Sequence, residues 1–489
     1  MRPAFRQNMR ETLKRLIKLS AGYSLVTLIG PLFTLFLTPL YTRVLEPADY
    51  GVVDVALTLT GFLSTLAAFG MEGAVSAYFF NAEEQDRRSL VTTALIIVAF
   101  LSFVFSCGLF ITAPYVSEIV FRQSEKALTL QIASIYIFSA PLYLLLSAIL
   151  RLRMSVRRVN ALGLTYLAAL ISLNLFFVLE LRLQANGVVM ANAAAMFIGS
   201  VVGIGLAFKP LRGRFSFSWA KTLARSGLML LPASLGFLLL SNLDRLLLTQ
   251  YVTQDQIGIY AIANKLASMH AVLFSAIWTA WWPMALQMAI TEEGQGKIAR
   301  MYELFISGSV LLSLALGLFS PEILRVYTRE AYIPAAPYAA WLFFYMGPIG
   351  VTAAFFQTGL YAKRDIKHIS IALILSVCGN IVFNLILDPL WGVWGATIST
   401  VLAGVIWAGY CIISGQQVMH LKIRWARVLT LLTITLIWLL CNTYGLLADV
   451  KIKMVVILLY IPLFFALDFI SQREVRASLS YLKEKLFDR

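Results

Sequence analysis

Charge is what this sequence has least of. Of its 489 residues, 13% are Asp, Glu, Lys or Arg and 60% are hydrophobic, with mean hydropathy +0.80. A soluble chain carries about a quarter charged residues. The shortage excludes a water-soluble globular protein, because apolar surface on this scale needs lipid as its solvent. Histidine is scarce too: His270, His368 and His420 are all there is, which argues against a metal site. Cysteine is confined to Cys107, Cys378, Cys411 and Cys441, each inside an apolar run and none in a CxxC pair, so buried structural thiols are expected. The sequence contains no GxxxxGK[ST], HExxH or DxD; the "GQGK" at Gly294 has no Ser or Thr after it. Nothing here hydrolyses ATP, and no enzyme activity or cofactor is expected. Any work must draw on the membrane potential, an ion gradient or the gradient of the cargo itself. A cleavable signal peptide is not expected either, because the basic N-terminal stretch is too long and no small-residue cleavage site follows a short apolar core.

What is abundant is the long apolar run. A spanning helix needs roughly 20 apolar residues, and about fourteen such runs can be placed, from span 1 (19–41) to span 14 (454–471). The expectation is an all-α polytopic membrane protein. With the N-terminus placed inside, 30 of the 40 Lys and Arg fall in inside segments and 8 in outside loops. This bias puts both termini in the cytoplasm. It also accounts for most of the net charge of +15 without any nucleic-acid partner. On a helix, Arg2, Arg6, Arg10, Lys14 and Lys18 share one face and Phe5, Met9, Leu13 and Ile17 another, so residues 1–18 read as an amphipathic leader on the anionic inner leaflet.

The two halves resemble each other. "TRVLEPADYGVVDVA" aligns with "TQYVTQDQIGIYAIA", matching Gly51 to Gly258. Arg153 and Arg157 match Lys363 and Lys367, Asn174 matches Asn384, and Gly187 matches Gly395, all at nearly one offset. Six spans per copy is an even number, so both copies enter the membrane the same way round, as in a parallel repeat. The expected organisation is a leader (1–18), an N-lobe of spans 1–6 (19–208), a cytoplasmic linker (209–226), a C-lobe of spans 7–12 (227–414), two further spans (415–471) and a cytoplasmic tail (472–489).

Against this background the charges inside spans stand out. One at mid-helix costs about 2.5 to 3.5 kcal/mol on insertion scales, so it faces the bundle interior, a partner or a wet cavity. Span 7 (227–249) carries Asn242, Asp244 and Arg245 near its outer end, where an arginine can snorkel. Span 8 (257–284) carries Tyr260, Asn264 and Lys265, the lysine roughly 12 Å in from the outer end and close to the midplane. An ion pair with Asp244 across the hairpin is the structural alternative to a functional Lys265. Asp54 lies in the first turn of span 2, where a contact with the helix dipole is one reading. Asn380 and Asn384 share a face and suggest interhelical hydrogen bonds. Trp278, Trp281 and Trp282 at the inner end of span 8 suggest an aromatic belt.

The stretches "LTPLYTRVLEPADYGVVDVALTLTGF", "LPASLGFLLLSNLDRLLLTQY", "IGIYAIANKL" and "NLILDPLWGVWGATIST" carry a resemblance. The chain resembles the polysaccharide-transporter branch of the multidrug/oligosaccharidyl-lipid/polysaccharide exporter superfamily, and within it the Wzx-type (RfbX-type) oligosaccharide flippases. The N-x-D-R of span 7 (Asn242, Asp244, Arg245) and the G-x-Y-x-x-A-x-K-L of span 8 (Gly258, Tyr260, Ala263, Lys265, Leu266) are its most specific parts. The resemblance implies movement of a polyprenyl-diphosphate-linked glycan to the outer leaflet of a bacterial cytoplasmic membrane, through a cationic cavity between two V-shaped lobes. It also implies membrane lipids, a coupling proton or sodium ion and a polysaccharide polymerase complex as partners to look for. The two added spans suggest the lipid II flippases, but the cavity arginines expected in spans 1 and 2 of that subgroup are missing. A cation-coupled drug exporter would favour an acidic cavity. A membrane glycosyltransferase or polymerase would need a large outside loop.

Overall fold

The computed structural model describes residues 35–469 apart from 81, 208–211, 290 and 364. The leader, the tail, most of span 1 and part of the linker lie outside the described residues. Among the described residues every regular element is helical. Apolar helices suit a lipid solvent because each satisfies its own backbone hydrogen bonds. Among the described residues, eleven helices are long and apolar enough to cross a membrane, or twelve when one bent helix is counted as a span. Of the fourteen expected spans, the first falls largely outside the described residues, and the last is the 17-residue helix Val450–Ala466.

The chain forms two compact units, Met1–Gly258 and Ile259–Arg489. After helical backbone at 35–44, the first unit contains α1 (Pro47–Ala68), α2 (Met71–Phe79), α3 (Glu84–Phe121), α4 (Ala127–Leu152), α5 (Val156–Asn174), α6 (Gln184–Leu206), α7 (Phe217–Leu248) and the first turn of α8 (Gln254–Met288). The second holds the rest of α8, then α9 (Glu292–Leu318), α10 (Ser320–Tyr327), α11 (Ala336–Phe344), α12 (Gly350–Ala362), α13 (Ile366–Trp391), α14 (Val393–Val418), α15 (Trp425–Thr443) and α16 (Val450–Ala466). Within the first unit α4 packs on α3, α6 and α1; within the second α14 packs on α13 and α12, and α9 on α11, α15 and α16.

Several spans are interrupted, and the interruptions have local causes. Phe69 and Gly70 are both left-handed (φ 49 and 65) and divide the apolar stretch Pro47–Phe79 into α1 and α2. A Cβ on Gly70 would lie 2.6 Å from the carbonyl oxygen of Gly227, so only glycine fits where α7 crosses this break. Span 7 bends by 58° between Phe217–Gly236 and Leu238–Leu248, close to Pro232 and Gly236. Pro348 sits in a π-helical turn, Tyr345–Ile349, between α11 and α12.

Landmarks matched between the halves take up corresponding roles. Asn174 Nδ2 donates to the Leu170 carbonyl and Asn384 Nδ2 to the Asn380 carbonyl, both at 2.7 Å. This second bond runs along α13, which corrects the expectation of interhelical bonding for Nδ2 of Asn384. Asn174 does bond between helices, its Oδ1 accepting from the Tyr41 hydroxyl at 2.8 Å. The tryptophans of α8 are also not a belt. Trp281 is buried and stacks on Phe355, Trp278 stacks on Phe274, and Trp282 meets Tyr361 edge-on, so they fill the second unit's aromatic core. Of the cysteines only Cys411 is buried; Cys378 is exposed on α13, and all four are free thiols.

Candidate functional site

Asp54 and Arg245 of the first unit meet where α1 packs on the C-terminal half of α7. Arg245 Nε lies 3.2 Å from Asp54 Oδ2, and both side chains are mostly buried. Arg245 also donates from Nη1 to Asn242 Oδ1 at 3.0 Å, a contact set by their spacing of three on one helix. Asp244 is 3% exposed, and its Oδ1 accepts the Arg245 backbone N–H at 2.8 Å. Asn242 Nδ2 donates to the Leu238 carbonyl at 3.2 Å. Asp54 is thus the ion-pair partner of Arg245, more than a residue answering a helix dipole. Span 7 alone could not reveal this partner, because it lies on another span.

Helix α1 also meets the start of α8 through glycine. A Cβ on Gly51 would lie 2.2 Å from the Gln254 carbonyl oxygen, and one on Gly258 would lie 1.9 Å from that of Pro47. The two glycines matched in the sequence therefore seat the first turn of α1 against the first turn of α8. No side chain separates the backbones, and Asp54 stands one turn further along α1.

In the second unit, Lys265 is half-buried on α8, and its carbonyl accepts from the Ser268 hydroxyl at 2.6 Å. Tyr260 is fully buried, with its hydroxyl 3.5 Å from Thr400 Oγ1 on α14. Asn264 is buried, and its Nδ2 donates to the Tyr260 carbonyl at 3.3 Å. The Tyr260 contact ties α8 to α14, whereas the Asn264 bond runs along α8 itself, the helix that carries Lys265.

Sequence reasoning missed a second set of buried charges. Glu303 of α9, 3% exposed, accepts from Arg424 Nε at 2.9 Å and also from Arg424 Nη2. Arg424 Nη1 and Arg427 Nη1 reach Asp468 Oδ2 at 2.8 and 2.9 Å. The hydrogen bonds from Arg427 and then from Arg424 hold the Asp468 carboxyl below its ordinary range. Lys453 of α16 is buried and bonds both carboxylate oxygens of Glu322 at 2.8 and 2.9 Å. An acid in an apolar run was the available signal for Glu303. At the very start of that run, though, an acid reads equally well as an ordinary interfacial residue.

Bundled helices, broken spans and ion-paired charges inside them define a membrane transporter fold. The structure "Lipid II flippase MurJ, inward closed conformation" superposes with TM-score 0.67 at 11% identity, covering 91% of this chain and 98% of that one. An inward-facing multidrug resistance MATE family transporter of the MOP superfamily gives 0.60 at 14%, covering 83% and 96%. At such identities the likeness is one of fold. Residues 17–289 match the family described as polysaccharide biosynthesis protein, and the chain belongs to it. It is similar to the succinoglycan biosynthesis transport protein ExoT of Rhizobium meliloti (strain 1021), 25% identical over 308 residues that cover 62% of this chain and 60% of the relative. It is also similar to the uncharacterized membrane protein MJ1068 of Methanocaldococcus jannaschii, 24% identical over 398 residues, 74% of this chain and 76% of that one. The match to ExoT thus spans less than two thirds of that protein's length.

Proposed function

We propose that this protein is an alternating-access flippase that moves a polyprenyl-diphosphate-linked oligosaccharide, the repeat unit of a surface polysaccharide, from the inner to the outer leaflet of a bacterial cytoplasmic membrane. Charge held inside apolar spans carries the reading: Arg245, paired with Asp54 beside the buried Asp244, on a chain of the polysaccharide biosynthesis family. A diphosphate and acidic sugars are anionic, and cations in a low-dielectric site attract them strongly. Lys265 and Arg245 take the anionic groups. Asp54 and Asp244 are counter-charges to Arg245, and either could carry a coupling proton; sodium is the other coupling ion to test. Asn242 orients Arg245. A polysaccharide polymerase would receive the flipped cargo.

The test is lipid analysis of a depleted strain. A polyprenyl-linked repeat unit trapped on the inner leaflet is the expected result. Accumulated peptidoglycan precursor would instead assign the protein to lipid II transport. No trapped intermediate, together with altered drug tolerance, would replace the reading with drug export.

A further inference from the structure

We propose that a second anion site, for a phosphate group, lies in the first unit at the opposite end of the α1–α2 span from Asp54 and Arg245. A pocket of about 490 Å³ is enclosed by the end of α2 (Phe79, Phe80), the first turn of α3 (Glu84, Arg87), the turn from α4 to α5 (Arg153 to Ser155) and Arg158. Three guanidinium groups face one carboxylate. The charge bias of the loops assigns this end of the spans to the inside, where an ordered bilayer presents its headgroup phosphates.

The arginines are held in place with donors left over. Arg153 Nη2 donates to Glu84 Oε1 at 3.1 Å, and Arg87 Nη1 stands 3.8 Å from Glu84 Oε2. Arg87 Nη2 donates to the Phe80 carbonyl at 3.4 Å, and Arg158 Nη1 to the Leu206 carbonyl at 3.2 Å. The Arg87 and Arg153 guanidinium carbons lie 5.5 and 6.0 Å from the centre of the Phe79 ring. The ring forms an apolar wall and fixes both forks. The Nε–H groups of Arg87 and Arg153 are nevertheless buried with no hydrogen-bond acceptor among the described residues. Three guanidinium groups lining one pocket and answered there by a single carboxylate call for a ligand rich in acceptor oxygens. Phosphate is such a ligand: it carries the opposite charge, and its oxygens match the planar guanidinium fork. Arginines that only orient the protein need no concavity. The site stands independently of the cargo assigned above.

Phosphate comes from two sources, a lipid headgroup or a soluble ion, and the experiment separates them. The full-length protein is placed in nanodiscs of phosphatidylcholine alone or mixed with phosphatidylglycerol, and retained lipid is counted by native mass spectrometry. In a second arm, inorganic phosphate and pyrophosphate are titrated into phosphatidylcholine discs while thermal unfolding is followed. The wild type should retain phosphatidylglycerol or be stabilised by the soluble anions. Arg87→Gln with Arg153→Gln should weaken that binding by roughly tenfold or more. Arg153→Lys should keep part of it, and Arg158→Gln offers a milder lesion should the double variant fail to fold. Phosphatidylglycerol retained without any response to soluble anions assigns the site to a headgroup; the reverse assigns it to a free phosphate. A wild type that binds neither, or folded variants that bind as the wild type does, overturns the proposal.

Discussion

Asp54 and Arg245 would each be expensive alone inside an apolar span, and each is mostly buried against the other. Removing one partner leaves the other charge stranded. A double-mutant cycle with Asp54→Asn and Arg245→Gln should therefore give a coupling of about 1–3 kcal/mol, read from thermal unfolding in detergent; additive effects would mean that the contact contributes nothing. Lys265 is expected to act on cargo more than on folding. Lys265→Ala should abolish accumulation of flipped glycan while insertion and melting stay near wild type, and Lys265→Arg should keep part of the activity; full transport by the alanine variant would remove Lys265 from the site. Much of this was legible in advance, because the cost of a charge in lipid singles out Asp244, Arg245 and Lys265 from sequence alone. What was not legible is which charge meets which. The pairing of Asp54 with Arg245 depends on two spans being brought together, and spacing along either one carries no trace of it.

Helices α15 and α16 are fastened to α9 by charge. Glu303 binds Arg424 through two of its guanidinium nitrogens, and Arg424 and Arg427 share Asp468 just beyond α16. Glu303→Gln should lower stability by about 2 kcal/mol, less than a fully buried pair because Arg424 is about a third exposed. An unchanged melting temperature would show the tie to be idle. The Asp468 end has a pH signature. Its carboxyl is held below the ordinary aspartate range by Arg427 and Arg424, so its contribution is present at neutral pH and is lost only as pH falls through that depressed value. The melting difference between wild type and Asp468→Asn should hold steady from about pH 8 to about pH 5 and shrink below about pH 4. A difference that disappears near neutrality would contradict the assignment. Element boundaries show the same division of what could be read. The long apolar runs announced the spans, whereas the break at Phe69–Gly70 depends on the approach of Gly227, which is distant in sequence.

At the scale of the molecule, the expected repeat rests on a few residue types matched at nearly one offset, some of which take up corresponding contacts. Gly51 and Gly258 are the clearest case, since their match in sequence is a direct contact in the structure. Gly51→Leu should impair transport as severely as loss of Lys265 without touching a single charge, measured by the same trapped-intermediate assay; normal flipping would show that the close approach is dispensable. The length of α16 reaches beyond the protein itself. Its 17 residues are tied near one end by Lys453 to Glu322 and just past the other by Asp468 to Arg424 and Arg427. The two anchors are 15 residues apart, about 22 Å of helix, whereas a bilayer's hydrocarbon core is about 30 Å thick. If α16 crosses the bilayer, a helix pinned at both ends cannot stretch to meet that thickness, and the surrounding lipid thins to meet the helix. Hydrophobic mismatch then becomes a property of the protein's neighbourhood: short-chain lipids should gather along this flank, and bilayer thickness should help to decide where in the membrane the protein settles.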